Sequence, residues 1–381
     1  MEIHEQQSVL DVTVYVTSEI RHSSYIYIGL KVLLKEKYLN TLRFIPERYY
    51  HKDRVVINIE EVKRINRPYP YSIKVLLVNN ITKKQVMLGF DLQDWDFMFS
   101  HHCLKECQII YKRAFNSKMI EVIKSKYNNI KIKPFGFTHN IDLSDEKILF
   151  IHRISKIINK ISYALCDPKG VTQYLVSKFN WNNQIPDDSR NIINNNQLTI
   201  PPNYPFIFYQ VEYHHWPGSK EAESLNMRRA DLIRLLKNKF GETFIGGMFF
   251  RTALNNKFID CKTNVPYDHE IYLSFIKKAS LVISTNGFGN SLPWKLAEYM
   301  QYGCCTLTES LKHKITSPIR KGIDAEIFNS DQECIELCQS LLNNNEKIEL
   351  IKNNAAHYYN VNIKPDQALK KHLCTIKANN Y

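Results

Sequence analysis

The sequence predicts an α/β fold with two domains, because two patterns recur along the whole chain. Apolar runs rich in β-branched residues alternate with segments of helical periodicity in both halves. Such alternation is typical of largely parallel sheets covered by helices. The 381 residues also exceed what a single hydrophobic core usually sustains. We therefore expect one domain over residues 1–200 and a second over residues 201–381, with an asparagine-rich linker at 180–203.

The first half begins with a strand, a polar loop and a helix. The run Asp11–Thr17 predicts the strand, SEIRHSS the loop, and the apolar spacing from Tyr25 to Tyr38 the helix. Further strands are predicted at 55–59, 73–78, 86–90, 108–111 and 130–133, and helices at 118–127 and 147–163. In a parallel sheet the loop after the first strand lies at the ligand-binding edge, so we expect the SEIRHSS loop there.

The same alternation returns after the linker. Strands are predicted at 206–212, 243–247, 281–285 and 304–308, and helices at 228–239, 269–278, 294–301 and 331–342. A helical region from Glu346 onward, broken near Pro365, closes the chain.

Strong positive charge narrows the classes of partner. The chain carries 51 basic and 38 acidic residues, a net charge of +13. This charge suits nucleic acid, an anionic membrane face or phosphate-bearing small molecules. The basic residues are spread along the chain, and no RRM, KH, zinc-finger or helix-turn-helix signature accompanies them. We therefore expect no nucleic-acid partner.

The amino-terminal and cysteine patterns indicate a cytoplasmic protein that does not span a membrane. No run of about 18 apolar residues occurs, and MEIHEQQSVL lacks the basic and apolar regions of a secretory signal. The nine cysteines form no disulfide framework, as expected of free thiols in a reducing compartment. His101, His102, Cys103 and Cys107 have no second ligand pair at the spacing of a zinc site, so no metal is expected.

The stretch ISTNGFGNSLPWKLAEYMQYG at 283–303 has the pattern of an anion site. It follows an apolar strand that becomes polar at its carboxyl end, where open α/β sheets bind ligands. Gly287 and Gly289 permit positive φ and close backbone approach, and the next helix offers unpaired N–H groups to a phosphate. On that helix Lys295 suits a phosphate and Glu298 suits ribose hydroxyls. The alternative is an ordinary i,i+3 Lys–Glu pair on a solvated helix.

The second half resembles the donor-binding domain of GT-B glycosyltransferases, in particular bacterial enzymes of capsule and lipopolysaccharide synthesis. The resemblance covers residues 204–381 and rests on MRRADLIRLLKNKFGETFIGG, YLSFIKKASLVIST, WKLAEYMQYGCCTLTE and NNAAHYYNVNIKPDQALKKHL. It implies a GT-B-like fold, with two Rossmann-like domains whose parallel sheets face a central cleft. It also implies a C-terminal helix that crosses back to the first domain.

The resemblance also implies a nucleotide-sugar site. It assigns Gly287, Gly289 and Lys295 to the diphosphate and Glu298 to the ribose. Asn286 and Phe288, in the same loop, are expected to belong to the donor site. KLAEYMQYG is similar to the E-K-L stretch of α1,3-fucosyltransferases, although Trp294 replaces its Glu, so a UDP- or GDP-sugar is expected. Asn290 stands where retaining enzymes often carry the first of two glutamates, which favours inversion.

Inverting transfer needs a general base at the acceptor and cations for the departing diphosphate. We expect Glu19 and His22 to supply the base, with Asp91 as a competing acid, although a solvated loop is the alternative for the first two. Arg228 and Arg229 would grip the diphosphate, and a basic helix start on the surface is their alternative.

Further candidates lie close to these residues in the sequence. Asp94 and Asp96 flank Trp95, on which a sugar could stack, but acids in such a loop also cap helices. Their Asp-x-Asp spacing matches the Mn²⁺ motif of GT-A enzymes, yet it lies away from the predicted donor loop. His139 ends a strand-like run, and Lys220 precedes the two arginines.

These observations predict a glycosyltransferase of the hexosyltransferase type, cytoplasmic and peripheral to an anionic membrane face. It would transfer a sugar from a nucleotide-diphosphate donor to a glycan or lipid-linked acceptor in surface polysaccharide synthesis. No tightly bound cofactor is expected. The alternatives are a nucleotide-sugar epimerase of the same fold and a basic nucleic-acid-binding protein.

Overall fold

A computed structural model describes residues 9–48, 52–58, 61–166, 168, 172, 198–216, 218–251 and 255–378. The chain forms two units, and the first is discontinuous: Met1–Gln173, Lys312–Pro318 and Val361–Tyr381. The second comprises Tyr174–Leu311 and Ile319–Asn360. The predicted second domain, 201–381, therefore loses its C-terminal segment to the first unit. Most of the predicted linker, 180–197, lies outside the described residues.

The first unit contains a six-stranded mixed sheet. The strands described in this unit are β1 (Leu10–Val16), β2 (Thr41–Pro46), β3 (Arg54–Ile57), β4 (Val62–Ile65), β5 (Ser72–Asn79), β6 (Gln85–Asp91), β7 (Met98–Ser100), β8 (Ile109–Lys112) and β9 (Lys131–Pro134). The helices described before the linker are α1 (Ser23–Lys35), α2 (His101–Glu106), α3 (Ser117–Lys126) and α4 (Glu146–Cys166). The main sheet has the order β2-β1-β5-β6-β8-β9, while β4, β3 and β7 form a small antiparallel sheet.

One strand of the main sheet differs from the expected parallel arrangement. β5 runs antiparallel to both of its neighbours, whereas the pairs β1–β2, β6–β8 and β8–β9 are parallel. The reason is a tight turn after β5, where Asn79 Oδ1 accepts hydrogen bonds from the N–H groups of Ile81 and Thr82 at 2.9 Å each. The turn is too short to carry a crossover helix, so β6 must pair antiparallel.

The second unit is a doubly wound, fully parallel sheet. Its strands are β10 (Ile207–Glu212), β11 (Phe244–Phe249), β12 (Leu281–Ser284), β13 (Thr306–Glu309) and β14 (Glu326–Phe328), in the order β11-β10-β12-β13-β14. Its described helices are α5 (Lys220–Phe240), α6 (His269–Lys278), α7 (Trp294–Gln301), α8 (Asp331–Leu342) and α9 (Asn345–Tyr358). Successive residues of β10 enter opposite cores, since Tyr209 belongs to one apolar cluster and Phe208 to another. Both faces of the sheet are thus covered, as parallel sheets require.

Helix α5 begins at Lys220, whereas the apolar spacing predicted that it begins at Arg228. The Ser219 side chain accepts a hydrogen bond from the N–H of Ala222, and Glu221 and Glu223 fill the first turn. Acidic residues there complement the helix dipole. Arg228 and Arg229 therefore lie two turns inside the helix and do not open it.

The last helix, α10 (Pro365–Ala378), packs on α1 in the first unit. The Tyr25 hydroxyl donates to the carbonyl of Ile363 just before it. A Cβ at Gly29 would lie 2.7 Å from Leu369 Cδ1 and 2.8 Å from the Pro365 carbonyl oxygen, so only glycine allows this approach. The expected return of the C-terminal helix to the first domain is confirmed. Among the helices in the described ranges, none combines the length and apolar composition needed to cross a membrane.

Candidate functional site

The second unit places its candidate site at the carboxyl edge of the parallel sheet. β10 pairs with both β11 and β12, so the strand order reverses there. In open α/β sheets, ligands bind in the crevice at this reversal, between the loops that follow the two central strands. The loops after β10 and β12 meet, with the rings of Trp216 and Phe288 at 4.5 Å between centroids. The 283–303 stretch therefore lies where the sequence predicts a ligand.

Within the loop after β12, the glycines serve two different needs. Gly289 has φ +66°, a conformation that side chains disfavour. Gly287 has negative φ, but a Cβ there would lie 2.4 Å from Ser291 Oγ. Its N–H donates to the carbonyl of Ser291 at 3.0 Å, which closes the loop on itself.

Asn286 fixes the start of the loop. It is fully buried; its N–H donates to Glu309 Oε2 at 2.9 Å and its Nδ2 to the Ser310 carbonyl at 2.9 Å. Its Oδ1 has no hydrogen-bond partner among the described residues. Arg228 joins the same group, because its guanidinium donates to Glu309 Oε1 at 2.9 Å and to the Asn286 carbonyl at 3.4 Å.

A carboxylate already occupies the anion position of the loop. The N–H of Gly289 donates to Glu221 Oε1 at 2.7 Å. Glu221 lies in the first turn of α5, where negative charge is favourable. An incoming phosphate would compete with this side chain for the Gly289 N–H.

Lys295 points away from the glycine loop and towards the end of β10. Its ammonium donates to the Gln210 carbonyl and lies 5.0 Å from the centroid of the Tyr272 ring and 5.9 Å from that of Phe249. Burial, together with nearby Arg229 and Arg251, lowers the pKa of Lys295 to about 8. This shift marks a cation held in a poorly solvated place.

Two arginines reach the same strand end. Arg229 is buried and donates to the Glu212 carbonyl at 3.1 Å, and Arg251 Nε lies 3.1 Å from Glu212 Oε1. We call Arg229, Arg251 and Lys295 the β10 cation cluster. Burial and the two arginines also lower the pKa of nearby His214 to about 4, so this ring is neutral at pH 7. Arg229 Nε has no hydrogen-bond partner among the described side chains and backbone.

Arg251 was missed by sequence reasoning. It follows β11 without any recognisable motif, and only the parallel pairing of Glu212 with Phe249 brings it to the end of β10. The signal available in the sequence was a single arginine four residues beyond the predicted strand 243–247.

Glu298 lies one turn beyond Lys295 on α7. Burial raises the pKa of its carboxyl group, while Lys295 and His269 oppose the shift. The predicted electrostatic pairing of Lys295 with Glu298 is therefore present, in a half-buried setting and not on a solvated helix face.

Arg228 and Arg229 also border an open cleft at the carboxyl edge of the sheet. The cleft encloses about 390 Å³, including the part open to solvent, and is lined by Arg228, Arg229, Leu232, Thr285, Glu309, Phe328, Asn329, Ser330 and Asp331. Lys220 is exposed in the first turn of α5.

In the first unit, the predicted base Glu19 caps a turn. Its carboxylate accepts the N–H groups of Arg21 at 2.9 Å and His22 at 3.0 Å, and His22 Nδ1 lies 3.3 Å from Glu19 Oε2. Burial alone would raise the pKa of Glu19, but hydrogen bonds and charge from His22 hold it below its usual value. Glu19 and His22 are therefore brought together as predicted, and Glu19 is ionised and weakly basic.

The acids after β6 have structural partners. Asp91 is 1% exposed; its carboxylate accepts from Tyr69 at 3.0 Å and lies 3.2 Å from Lys112 Nζ. An acceptor sugar has no access to this ion pair, which contradicts the predicted catalytic role of Asp91.

The remaining first-unit candidates also hold loops in place. Asp94 pairs with Arg113, and Asp96 Oδ2 accepts from Asn116 Nδ2 at 2.6 Å. His139 is 7% exposed, and burial lowers the pKa of its ring. Within the described ranges, no three His, Cys, Asp or Glu side chains gather as a metal site would require.

The fold and the site define an α/β protein of two units, the second with a basic crevice at the reversal of a parallel sheet. The solved structures to which the chain is similar include glycosyltransferases and epimerases. One is the C-terminal domain of the group 1 glycosyl transferase LpcC from Francisella tularensis, with 12% identity and TM-score 0.30 over 43% of this chain and 88% of that one. Sucrose-phosphate synthase from Thermosynechococcus elongatus shows 9% identity and TM-score 0.35, over 74% and 76%. UDP-GlcNAc 2-epimerase from Neisseria meningitidis, bound to UDP-GlcNAc, shows 12% identity and TM-score 0.33, over 72% and 62%.

No family model matches the sequence, and no curated protein matches it either. At identities of 9 to 12% and TM-scores of 0.30 to 0.35, these likenesses carry no conclusion about the activity of this chain. The function must therefore be argued from the site.

Proposed function

We propose that this protein is a glycosyltransferase that binds a nucleotide-diphosphate sugar at the carboxyl edge of its second sheet. The observation that carries the proposal is the β10 cation cluster. Three basic side chains converge on this strand beside the point where the sheet order reverses. Arg251 pairs with the carboxylate of Glu212, whereas Arg229 and Lys295 donate to the backbone carbonyls of Glu212 and Gln210. Glu212 and Glu298 balance these three cations only in part, and the negative charge of a diphosphate would complete the balance.

The surrounding residues suit the rest of the donor. Glu298 offers a carboxylate to ribose hydroxyls, and Arg228 lies beside the glycine loop at the edge of the cleft. The unpartnered Oδ1 of Asn286 is a further acceptor at the loop. On this proposal the cations also stabilise the diphosphate as it leaves.

For the acceptor half of the reaction, the proposal assigns Glu19 as the general base, oriented by His22. Glu19 is ionised at neutral pH, as a base must be before it accepts a proton. The proposed acceptor is a glycan or lipid-linked saccharide in surface polysaccharide synthesis, with inversion at the transferred carbon. No tightly bound cofactor is required.

A cytoplasmic location is part of the proposal. All eight cysteines whose side chains are described are free, and seven are buried. This pattern fits a reducing compartment, where nucleotide sugars are made.

The test is a binding screen of the whole protein with UDP, GDP, CMP, ADP and dTDP by thermal shift and calorimetry. We expect one nucleotide to raise the melting temperature. Arg251→Gln should weaken its binding about tenfold to a hundredfold, the range for a lost charge-assisted hydrogen bond. Arg234→Gln is the matched control, because Arg234 lies on α5, is partly exposed, and pairs with Asp260 at 2.6 Å.

Two results would overturn the proposal. One is the absence of binding by any of the five nucleotides. The other is conversion of a bound nucleotide sugar to its epimer, followed by NMR without acceptor, which would make the protein an epimerase.

A further inference from the structure

Helix α4 exposes a row of large apolar side chains. One of its faces packs on β1 and β2 through buried residues such as Ile148 and Ser155. The opposite face carries four side chains that are more than half exposed: Phe150 at 61%, Ile157 at 57%, Ile161 at 56% and Leu165 at 77%. We call these four residues the α4 stripe.

The α4 stripe is continuous along the helix. Its members are spaced by seven, four and four residues, which places them on one side of an α-helix over about four turns. A surface helix ordinarily buries its apolar side and presents polar residues to solvent. α4 is apolar on both sides, so its outer face suits a second apolar environment.

Basic side chains border the α4 stripe. The exposed basic residues of the helix are Lys147, Arg153, Lys156 and Lys160, and three of them follow one side of the stripe. In the part of the chain that the structure describes, none of the four forms an ion pair. Glu146 is the single acidic residue of the helix, at its first position. The exposed face is thus apolar along its centre and positively charged along its border.

We propose that the α4 stripe and its basic border bind the surface of a membrane that contains anionic lipids. Helices of this kind lie in the interfacial plane, with apolar side chains among the acyl chains and lysine or arginine at the headgroups. Charge complementarity selects this partner: a second copy of the helix offers the same positive charge, whereas anionic headgroups offer the opposite one. The inference goes beyond the proposed function and does not depend on it.

The experiment is co-sedimentation of the whole protein with vesicles of phosphatidylcholine alone, and of equal parts phosphatidylcholine and phosphatidylglycerol. We expect binding to the anionic vesicles and little to the neutral ones. The variant Arg153→Gln/Lys156→Gln/Lys160→Gln should bind about a hundredfold more weakly, because each basic residue at an anionic surface contributes roughly fivefold. Glutamine is chosen because it keeps helix propensity.

A matched control removes the same charge elsewhere in the first unit. Lys118, Lys124 and Lys126 are exposed on α3, which contributes no exposed large apolar side chain. Their triple replacement by Gln should leave vesicle binding within about threefold of the original protein. An equal loss in both triple variants would show a response to net charge only, and would overturn the assignment to α4.

A second variant, Ile157→Gln/Ile161→Gln/Leu165→Gln, tests the apolar part. It should lose vesicle binding while keeping its melting temperature, since these side chains are exposed. A clear fall in melting temperature would show that the stripe packs on the protein's own chain. A dimer that this variant abolishes in sedimentation velocity would assign the stripe to a second copy. Either result, or no binding of the original protein to anionic vesicles, overturns the proposal.

Discussion

Replacing Lys295 by methionine should stabilise the protein while abolishing nucleotide binding. The fold lowers the pKa of Lys295 from its usual 10.5 to about 8, chiefly by burial. Since each tenfold change in proton affinity is worth about 1.36 kcal/mol, holding the charged form costs about 3.4 kcal/mol at most. The side chain is only half-buried, and its hydrogen bond to Gln210 returns about 1 kcal/mol. We therefore expect Lys295→Met to raise the free energy of unfolding by about 1 to 2 kcal/mol at neutral pH.

The stability difference between the two proteins should depend on pH, and the pKa shift of Lys295 determines the direction of that dependence. Below about pH 8 Lys295 is protonated in both the folded and the unfolded chain, so the full cost is present. Between pH 8 and 10.5 the unfolded chain binds the proton more tightly, so the original protein gains stability as the pH rises. The advantage of the methionine variant should therefore shrink towards about pH 10.

Urea unfolding at about pH 7 and about pH 10 measures this difference directly. Lys278→Met serves as control, because Lys278 is exposed on the neighbouring helix α6. Equal stability gaps at both pH values, or a less stable Lys295→Met variant, would refute the reasoning. If the variant is stabilised but keeps its nucleotide affinity, the buried charge of Lys295 does not contribute to nucleotide binding.

Three further substitutions test other parts of the structure. Glu221→Gln removes the carboxylate that accepts from Gly289, so calorimetry should show nucleotide affinity about tenfold higher, and an unchanged affinity would contradict competition for that N–H. Gly29→Ala forces a methyl group against Leu369 and should cost about 1 to 3 kcal/mol, measured by thermal unfolding. Burial raises the pKa of Asp53 to about 6 from 3.8, so stability should fall by about 2 kcal/mol as the pH rises between these values. Asp53→Asn should lack that fall in urea titrations.

Much of the second unit was predictable because its signals are local. The helices 269–278, 294–301 and 331–342 have the predicted bounds. The glycine loop lies at the predicted strand end, and Lys295 and Glu298 interact as their spacing suggests. The spacing does not indicate which neighbouring element each side chain reaches. Lys295 reaches Gln210 on another strand, and the pairing of β10 with β11 decides which other cations meet it there.

The first unit shows the opposite case. Apolar runs at 73–78 and 86–90 were expected in a parallel sheet, but the short turn NNITKK between them makes a hairpin. Turn length, and not the apolar pattern, determines strand direction here. The burial of Asp91 likewise depends on Lys112, which lies on a separate strand and forms no motif with it. Accessibility of a catalytic acid is a tertiary property that composition and spacing leave undetermined.

The return of α10 to the first unit has a consequence for synthesis of the protein. The hydrogen bond from Tyr25 to Ile363 joins residues 338 apart in the chain. During translation the second unit is therefore complete before the first, whose apolar cluster still lacks Leu369 and Leu373. Until the last helix leaves the ribosome, α1 exposes the apolar surface that α10 will cover, and nascent chains at that stage are vulnerable to aggregation. A stop codon shortly before Pro365 should thus damage the amino-terminal half of the protein and spare the half next to the truncation.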